Sequence, residues 1–135
     1  MPQITVTLDA IEAATAQALV KHGAAQWVAQ EVARAVRRAE ATGNIICGLY
    51  YLDSYCTQLR TGRVDGKAQP VVAKPKASAV QVDAKLGFAQ PAFARGLGTA
   101  VDTARAHGTA TMAVCHSHTC TAMGFFTEQI AEAGL

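Results

Sequence analysis

Apolar residues recur at helical spacing in three blocks of the N-terminal half. In the first, Ile11, Ala14, Ala18 and Leu19 form an inward stripe that Thr15 interrupts. Thr7 is placed to cap this helix, Asp9 falls in its first turn where an acid favours the dipole, and Gly23 stops it. Ahead of it, Ile4 to Thr7 reads as a short β segment. The second block, Ala25 to Ala41, carries Val28, Val32, Ala35, Val36 and Ala39 on one side. Glu31, Arg34, Arg37 and Arg38 occupy the other, as a solvated face with local ion pairs. Gly43-Asn44 ends it. A third helix is predicted from near Gly48 to Gly62, with Tyr51, Leu52, Tyr55 and Leu59 inward and Tyr50, Tyr51 and Tyr55 grouped as core.

The pattern then changes. Residues 63–78 are rich in Gly, Pro and Lys, with Pro70 and Pro75 favouring extended chain, and read as a linker. Val80-Gln81-Val82-Asp83 alternates like a strand. A helix with Pro91 in its first turn runs to His107, presenting Phe93, Leu97, Ala100, Val101 and Ala104 inward, and Gly108 ends it. Thr111 to Cys115 reads as a second strand, and Thr121 to Ala133 as a last helix with Phe125, Phe126 and Ile130 inward. The predicted class is α/β: a helical unit at 1–62, a linker at 63–78, and the first part of an α/β domain at 79–135. Two strands make no stable sheet alone, so the sheet is expected to draw on further chain or a partner.

Composition narrows the function. The chain has 135 residues, half of them apolar and 16% charged, which excludes wholesale disorder. A net charge of +2 with no dense basic stripe argues against nucleic acid. No apolar run approaches the roughly 18 residues of a membrane span, and the N-terminus does not read as a signal peptide, so a cytoplasmic location is expected. The four cysteines, at 47, 56, 115 and 120, form no CxxC pair and are read as reduced thiols. The apolar surplus is alanine, which leaves few large side chains for a self-sufficient core.

Chemistry concentrates in Cys115-His116-Ser117-His118-Thr119-Cys120-Thr121, at the end of the second strand and before a helix. Ligands of α/β sheets bind at such edges, and imidazole moves protons near neutral pH. In extended chain His116, His118 and Cys120 point the same way. The run is too compact for usual metal spacings and offers no distant partner, so no metal is expected. A second segment, Gly43 to Gly48, holds Cys47 just ahead of the third helix, where two readings stand: a thiol whose pKa the helix N-terminus lowers, and a buried inert thiol.

The order of several segments resembles the N-terminal part of the malate/L-lactate dehydrogenase family of the non-Rossmann type. The segments are Glu40 to Gly48, Leu52-Asp53-Ser54-Tyr55, Gln58 to Arg63, Val82 to Phe88, Ala104 to Gly108, and Val114 to Gly124 running into Ala131 to Leu135. That family includes ureidoglycolate and sulfolactate dehydrogenases, diketogulonate reductase and piperideine-2-carboxylate reductase. The resemblance implies a mixed, non-Rossmann sheet, an NAD- or NADP-dependent oxidoreductase of a small 2-hydroxy or imino acid, and a homodimer. It also implies further strands after Leu135, as in a truncated, split or processed chain completed by a C-terminal part.

Two segments depart from the family. Its Ser-His-Gly reads Ile46-Cys47-Gly48, with Tyr51 in place of a following basic residue, and its loop histidine reads Thr119, with His118 one residue earlier. The resemblance implies catalytic roles for His118, His116 and Cys47, substrate contacts for Tyr51, Asn44 and Thr119, and cofactor contacts for Thr121 and Ser117. Two other readings are a non-redox lyase or hydrolase using the Cys47 thiolate with His118 as base, and a non-catalytic split subunit.

Overall fold

The computed structural model describes residues 4–118 and 120–135. Its elements are α1 (Leu8–Lys21), α2 (Gln26–Ala41), α3 (Leu52–Arg60), β1 (Val71–Lys76), β2 (Ala79–Asp83), α4 (Ala89–His107), β3 (Thr111–Cys115) and α5 (Met123–Glu132). Two single 3-10 turns, Ile45–Cys47 and Leu49–Tyr51, join α2 to α3. The sheet runs β1-β2-β3, antiparallel between β1 and β2 and parallel between β2 and β3. The expected α/β class with a mixed sheet is therefore the one that forms.

Local signals fix the helices. The Thr7 hydroxyl accepts from the Ala10 N–H at 3.1 Å to cap α1, and left-handed Gly23 and Gly108 follow α1 and α4. Ile11, Thr15 and Leu19 are the buried residues of α1, and Ala14 is exposed, so the stripe runs through Thr15. Ile4 to Thr7 forms no strand; nothing pairs with it, and Ile4 and Val6 lie exposed. Helix α3 begins at Leu52, later than expected, because the chain first makes the two 3-10 turns; Tyr50 points outward there. The last helix begins at Met123 because Thr121 adopts a positive φ of 49°.

The stretch read as a linker contains strand β1. Its residues are mostly exposed, its register with β2 shifts between Ala73 and Lys76, and it carries Pro75. Proline cannot donate to a ladder, which suits an edge. Strand β2 is central, with Val80 and Val82 buried against Ala92 of α4. Helix α4 approaches this closely because position 96 is glycine: a Cβ there would collide with Val82 Cγ2 and Met112 Sδ.

Helix α2 joins the halves. Val28, Val32 and Val36 pack with α1, α3 and Phe88, while Ala35 meets Phe93, Phe125 and Phe126. Its arginines are only partly local. Arg34 pairs with Glu31 at 3.1 Å, but Arg37 reaches Asp9 at 3.0 Å and Glu12 at 3.2 Å on α1, and Arg38 grips Glu128 on α5. Such exposed pairs contribute about 0–1 kcal/mol each and serve chiefly to orient the helices.

Candidate functional site at the carboxyl edge of β2 and β3

Both parallel strands end in irregular backbone. After β2, Lys85 and Leu86 have φ of 52° and 62°; after β3, His116 has φ of 49°. Non-glycine residues with positive φ are uncommon and cluster where a site demands them. The two segments remain tied: Ala84 N–H donates to Cys115 O at 2.9 Å, Leu86 N–H to His116 O at 2.8 Å, and His118 N–H to Gly87 O at 2.8 Å. Phe88 then bridges to His118 through the backbone.

The turn at His116 breaks the alternation that extended chain would have imposed, so His116, His118 and Cys120 do not simply share one face. His116 turns back to Asp83, its Nδ1 3.1 Å from Oδ1. The same carboxylate takes the Lys85 Nζ at 2.9 Å and the Lys85 N–H at 2.9 Å. These contacts, Lys85 first and His116 after it, hold the Asp83 carboxyl well below the usual carboxylate range. His118 is half-buried, and burial, aided by the Arg63 charge, lowers its pKa from the ordinary histidine value.

Beneath the loop lies a buried polar joint. Tyr55 is fully buried; its hydroxyl is 3.0 Å from Thr121 Oγ1 and accepts from Gln90 Nε2 at 3.2 Å. Tyr51 and Phe88 stand edge-on to its ring at 5.0 and 5.3 Å. Burial pushes the Tyr55 phenol up to about 12, so it stays protonated near neutral pH and serves here as a hydrogen-bonding post. Cys47 is near enough to contribute to that rise. Gln90 is also fully buried, and its Oε1 has no partner.

Cys47 lies in a 3-10 turn, and α3 starts five residues later, so no α-helix N-terminus adjoins the thiol. Glu40 secures that segment: its Oε1 accepts the Leu49 N–H at 2.7 Å and lies over Gly48, where a Cβ would strike it. Asn44 is exposed and borders a hollow of about 130 Å³ with Ala122 and Gly124. The structure thus brings the Gly43–Gly48 segment and the start of α5 together around Tyr55. Thr119 lies outside the described residues.

Ser117 borders an apolar groove of about 440 Å³ between α4, β3 and α5, lined by Phe93, Leu97, Met112, Phe126 and Ile130 among others. A nicotinamide dinucleotide carries two phosphates, and among the described residues no Lys or Arg lines this groove. The Thr121 hydroxyl, the other expected cofactor contact, is engaged by Tyr55. This groove therefore offers no cationic side chain to a dinucleotide's phosphates. A hollow of about 690 Å³ is lined by α1 and α2 and holds none of the candidate residues. No helix among the described residues is long and apolar enough to cross a membrane.

Sequence reasoning named the His-rich loop but missed Asp83, Gln90 and Glu40. Asp83 does stand within the Val82 to Phe88 stretch that carried the resemblance, which was the available signal.

A helical unit followed by a mixed sheet with this strand order defines a non-Rossmann α/β protein, and the comparisons assign it further. The family model described as malate/L-lactate dehydrogenase matches residues 6–135, and the chain belongs to that family. A Delta(1)-pyrroline-2-carboxylate/Delta(1)-piperideine-2-carboxylate reductase of Pseudomonas syringae pv. tomato is 40% identical over 116 residues, covering 86% of this chain and 34% of that protein. A (2R)-3-sulfolactate dehydrogenase (NADP(+)) of Chromohalobacter salexigens is 36% identical over 130 residues, covering 96% of this chain and 39% of that one.

Among solved structures, delta1-piperideine-2-carboxylate reductase from Pseudomonas syringae superposes with a TM-score of 0.94 at 36% identity, over 98% of this chain and 40% of that one. A malate dehydrogenase from Entamoeba histolytica shares the fold, with a TM-score of 0.90 at 21% identity over 98% of this chain and 37% of its own. The chain spans between a third and two-fifths of the length of these relatives.

Proposed function

We propose that this chain supplies the substrate-side portion of an NAD(P)-dependent reductase of a small cyclic imino acid. The observation that carries the reading is the 40% identity to an imino-acid reductase over 86% of the chain. The sulfolactate relative widens the class to a 2-hydroxy or 2-oxo acid, and, being an NADP(+) dehydrogenase, it favours NADP. Most of the length of these relatives lies outside the match, and in this reading the nucleotide's phosphates are held by parts corresponding to that remainder, on a C-terminal part or a dimer partner.

The chain's own residues fit an imine better than a ketone. A ketone needs a protein acid as its oxygen becomes an alkoxide, whereas an imine nitrogen is basic enough to take its proton from an imidazolium before hydride arrives. By the resemblance, family histidines are replaced here by Cys47 and Thr119, and His118 is held toward its neutral form. In this reading His118 exchanges the proton at the substrate nitrogen, with Asn44 and Tyr51 near the carboxylate. Tyr55, Gln90 and Thr121 position the loop.

The test, on the chain together with the C-terminal part or partner that this reading requires, is NADPH and NADH oxidation followed at 340 nm with Δ1-piperideine-2-carboxylate, Δ1-pyrroline-2-carboxylate and a 2-oxo acid. The reading predicts nucleotide oxidation that depends on the cyclic imine, reduced roughly 10²–10⁴-fold in His118→Ala. Turnover without nucleotide, abolished by thiol alkylation, would establish the lyase or hydrolase alternative instead.

A further inference from the structure

We propose that Asp83, Cys115 and His116 form a divalent transition-metal site of the zinc class, separate from the proton-transfer role given to His118. A carboxylate oxygen of Asp83, the Cys115 sulfur and a ring nitrogen of His116 lie within 4.8 Å of one another. Carboxylate, thiolate and imidazole together suit zinc or cobalt(II) and not magnesium or calcium, which take oxygen ligands.

Three features of the backbone make this set. Asp83 and Cys115 are direct partners in the parallel β2–β3 register, so their side chains leave the same face of the sheet. That face is the one away from α4, since Val80 and Val82 take the buried side. His116, continuing as strand, would point to the opposite face. Its φ of 49° returns the imidazole to the Asp83 side, 3.1 Å from Oδ1. A left-handed conformation is unfavourable for a non-glycine residue, and what it achieves here is to add the third donor.

The dimensions suit a small cation. With metal–nitrogen and metal–oxygen bonds near 2.1 Å and metal–sulfur near 2.3 Å, a tetrahedron has donor–donor edges of about 3.4–3.6 Å. The Nδ1–Oδ1 separation of 3.1 Å is a little under that range and all three donors lie within 4.8 Å of one another, close to the size such a tetrahedron needs. Lys85 Nζ sits on Oδ2, while Oδ1, which also accepts the Lys85 N–H at 2.9 Å, faces the His116 ring. The Cys115 sulfur makes only long contacts, 3.6 Å to Gln81 Nε2 and 3.6 Å to Val82 O. His116 is exposed, which leaves the fourth position open to water or to an incoming carboxylate. Binding forms a metal–sulfur bond and releases the thiol proton to solvent, so affinity rises with pH through the thiol range.

The experiment uses untagged, chelator-treated protein titrated with cobalt(II) and then zinc(II). The expected result is one equivalent of cobalt(II) giving a near-ultraviolet thiolate-to-cobalt charge-transfer band that zinc(II) displaces. Cys115→Ser abolishes the band. His116→Asn weakens cobalt(II) affinity beyond the roughly 10–100-fold that losing even an outer-shell partner costs. Cys47→Ser and Cys120→Ser leave the band unchanged. No thiolate band in the parent protein, a band that survives Cys115→Ser, or an unchanged affinity in His116→Asn overturns the proposal. Should Cys115→Ser fail to fold, His116→Asn, altered at an exposed side chain, decides alone.

Discussion

Tyr55→Phe is the substitution whose consequence the structure sets most tightly. It deletes one oxygen from a side chain with no solvent exposure. That oxygen accepts from Gln90 Nε2 at 3.2 Å and is 3.0 Å from Thr121 Oγ1. Gln90 is itself fully buried and its Oε1 already has no partner, so the substitution strips the amide of its Tyr55 bond. A buried amide group left unpaired costs about 1–3 kcal/mol, and the half-buried Thr121 hydroxyl adds less. The expected loss is about 2 kcal/mol, or a fall in Tm of roughly 6–10 °C for a chain of this size. Chemical denaturation of the parent, Tyr55→Phe, Gln90→Met and the double variant measures it. Removing both polar partners relieves the orphaned amide, so the double variant should sit above the sum of the singles by about 1–2 kcal/mol. A Tyr55→Phe protein within about 0.5 kcal/mol of the parent, or strictly additive singles, would refute the argument. So would a stability-neutral variant with a collapsed kcat, since that would make the phenol a chemical group.

Other consequences are equally direct. Gly48→Ala should cost the Cys47 segment about 1 kcal/mol, because the new methyl displaces the Glu40 carboxylate from the Leu49 N–H; faster amide exchange at Leu49 reports it. Thr15→Val should raise stability by about 1 kcal/mol in denaturant melts, since the fully buried Thr15 hydroxyl has no partner. In chelator-treated protein His118 should titrate below its ordinary value, because burial and then Arg63 disfavour the imidazolium. A proton then binds the unfolded chain more readily than the folded one, so His118 erodes stability as pH falls from the unfolded histidine range. Arg63→Gln should move the NMR titration of His118 back upward, and an unmoved or lowered midpoint counts against that assignment.

The helices were legible because their signals are local. A 3.6-residue stripe, a threonine cap and a glycine stop are all read within one segment, and Thr7, Gly23 and Gly108 take those roles. Strand β1 was not legible, because an exposed edge containing Lys74, Pro75 and Lys76 carries no alternation of its own; it becomes a strand only by pairing with β2. The reverse error at Ile4 to Thr7 has the same origin, since alternation without a partner makes no strand. The His-rich loop could be found by composition, whereas its carboxylate could not.

Asp83 lies 33 residues before His116 and reaches it only through the parallel register of β2 with β3. That register rests on the opposite face. Val80 and Val82 pair with Met112 and Val114, and these four side chains turn toward α4. Slipping β3 by one residue would send Cys115 to the buried side and leave Asp83 facing Val114 or His116. The buried valines, whose own chemistry is inert, are therefore what holds a thiol, a carboxylate and an imidazole at one point of the edge.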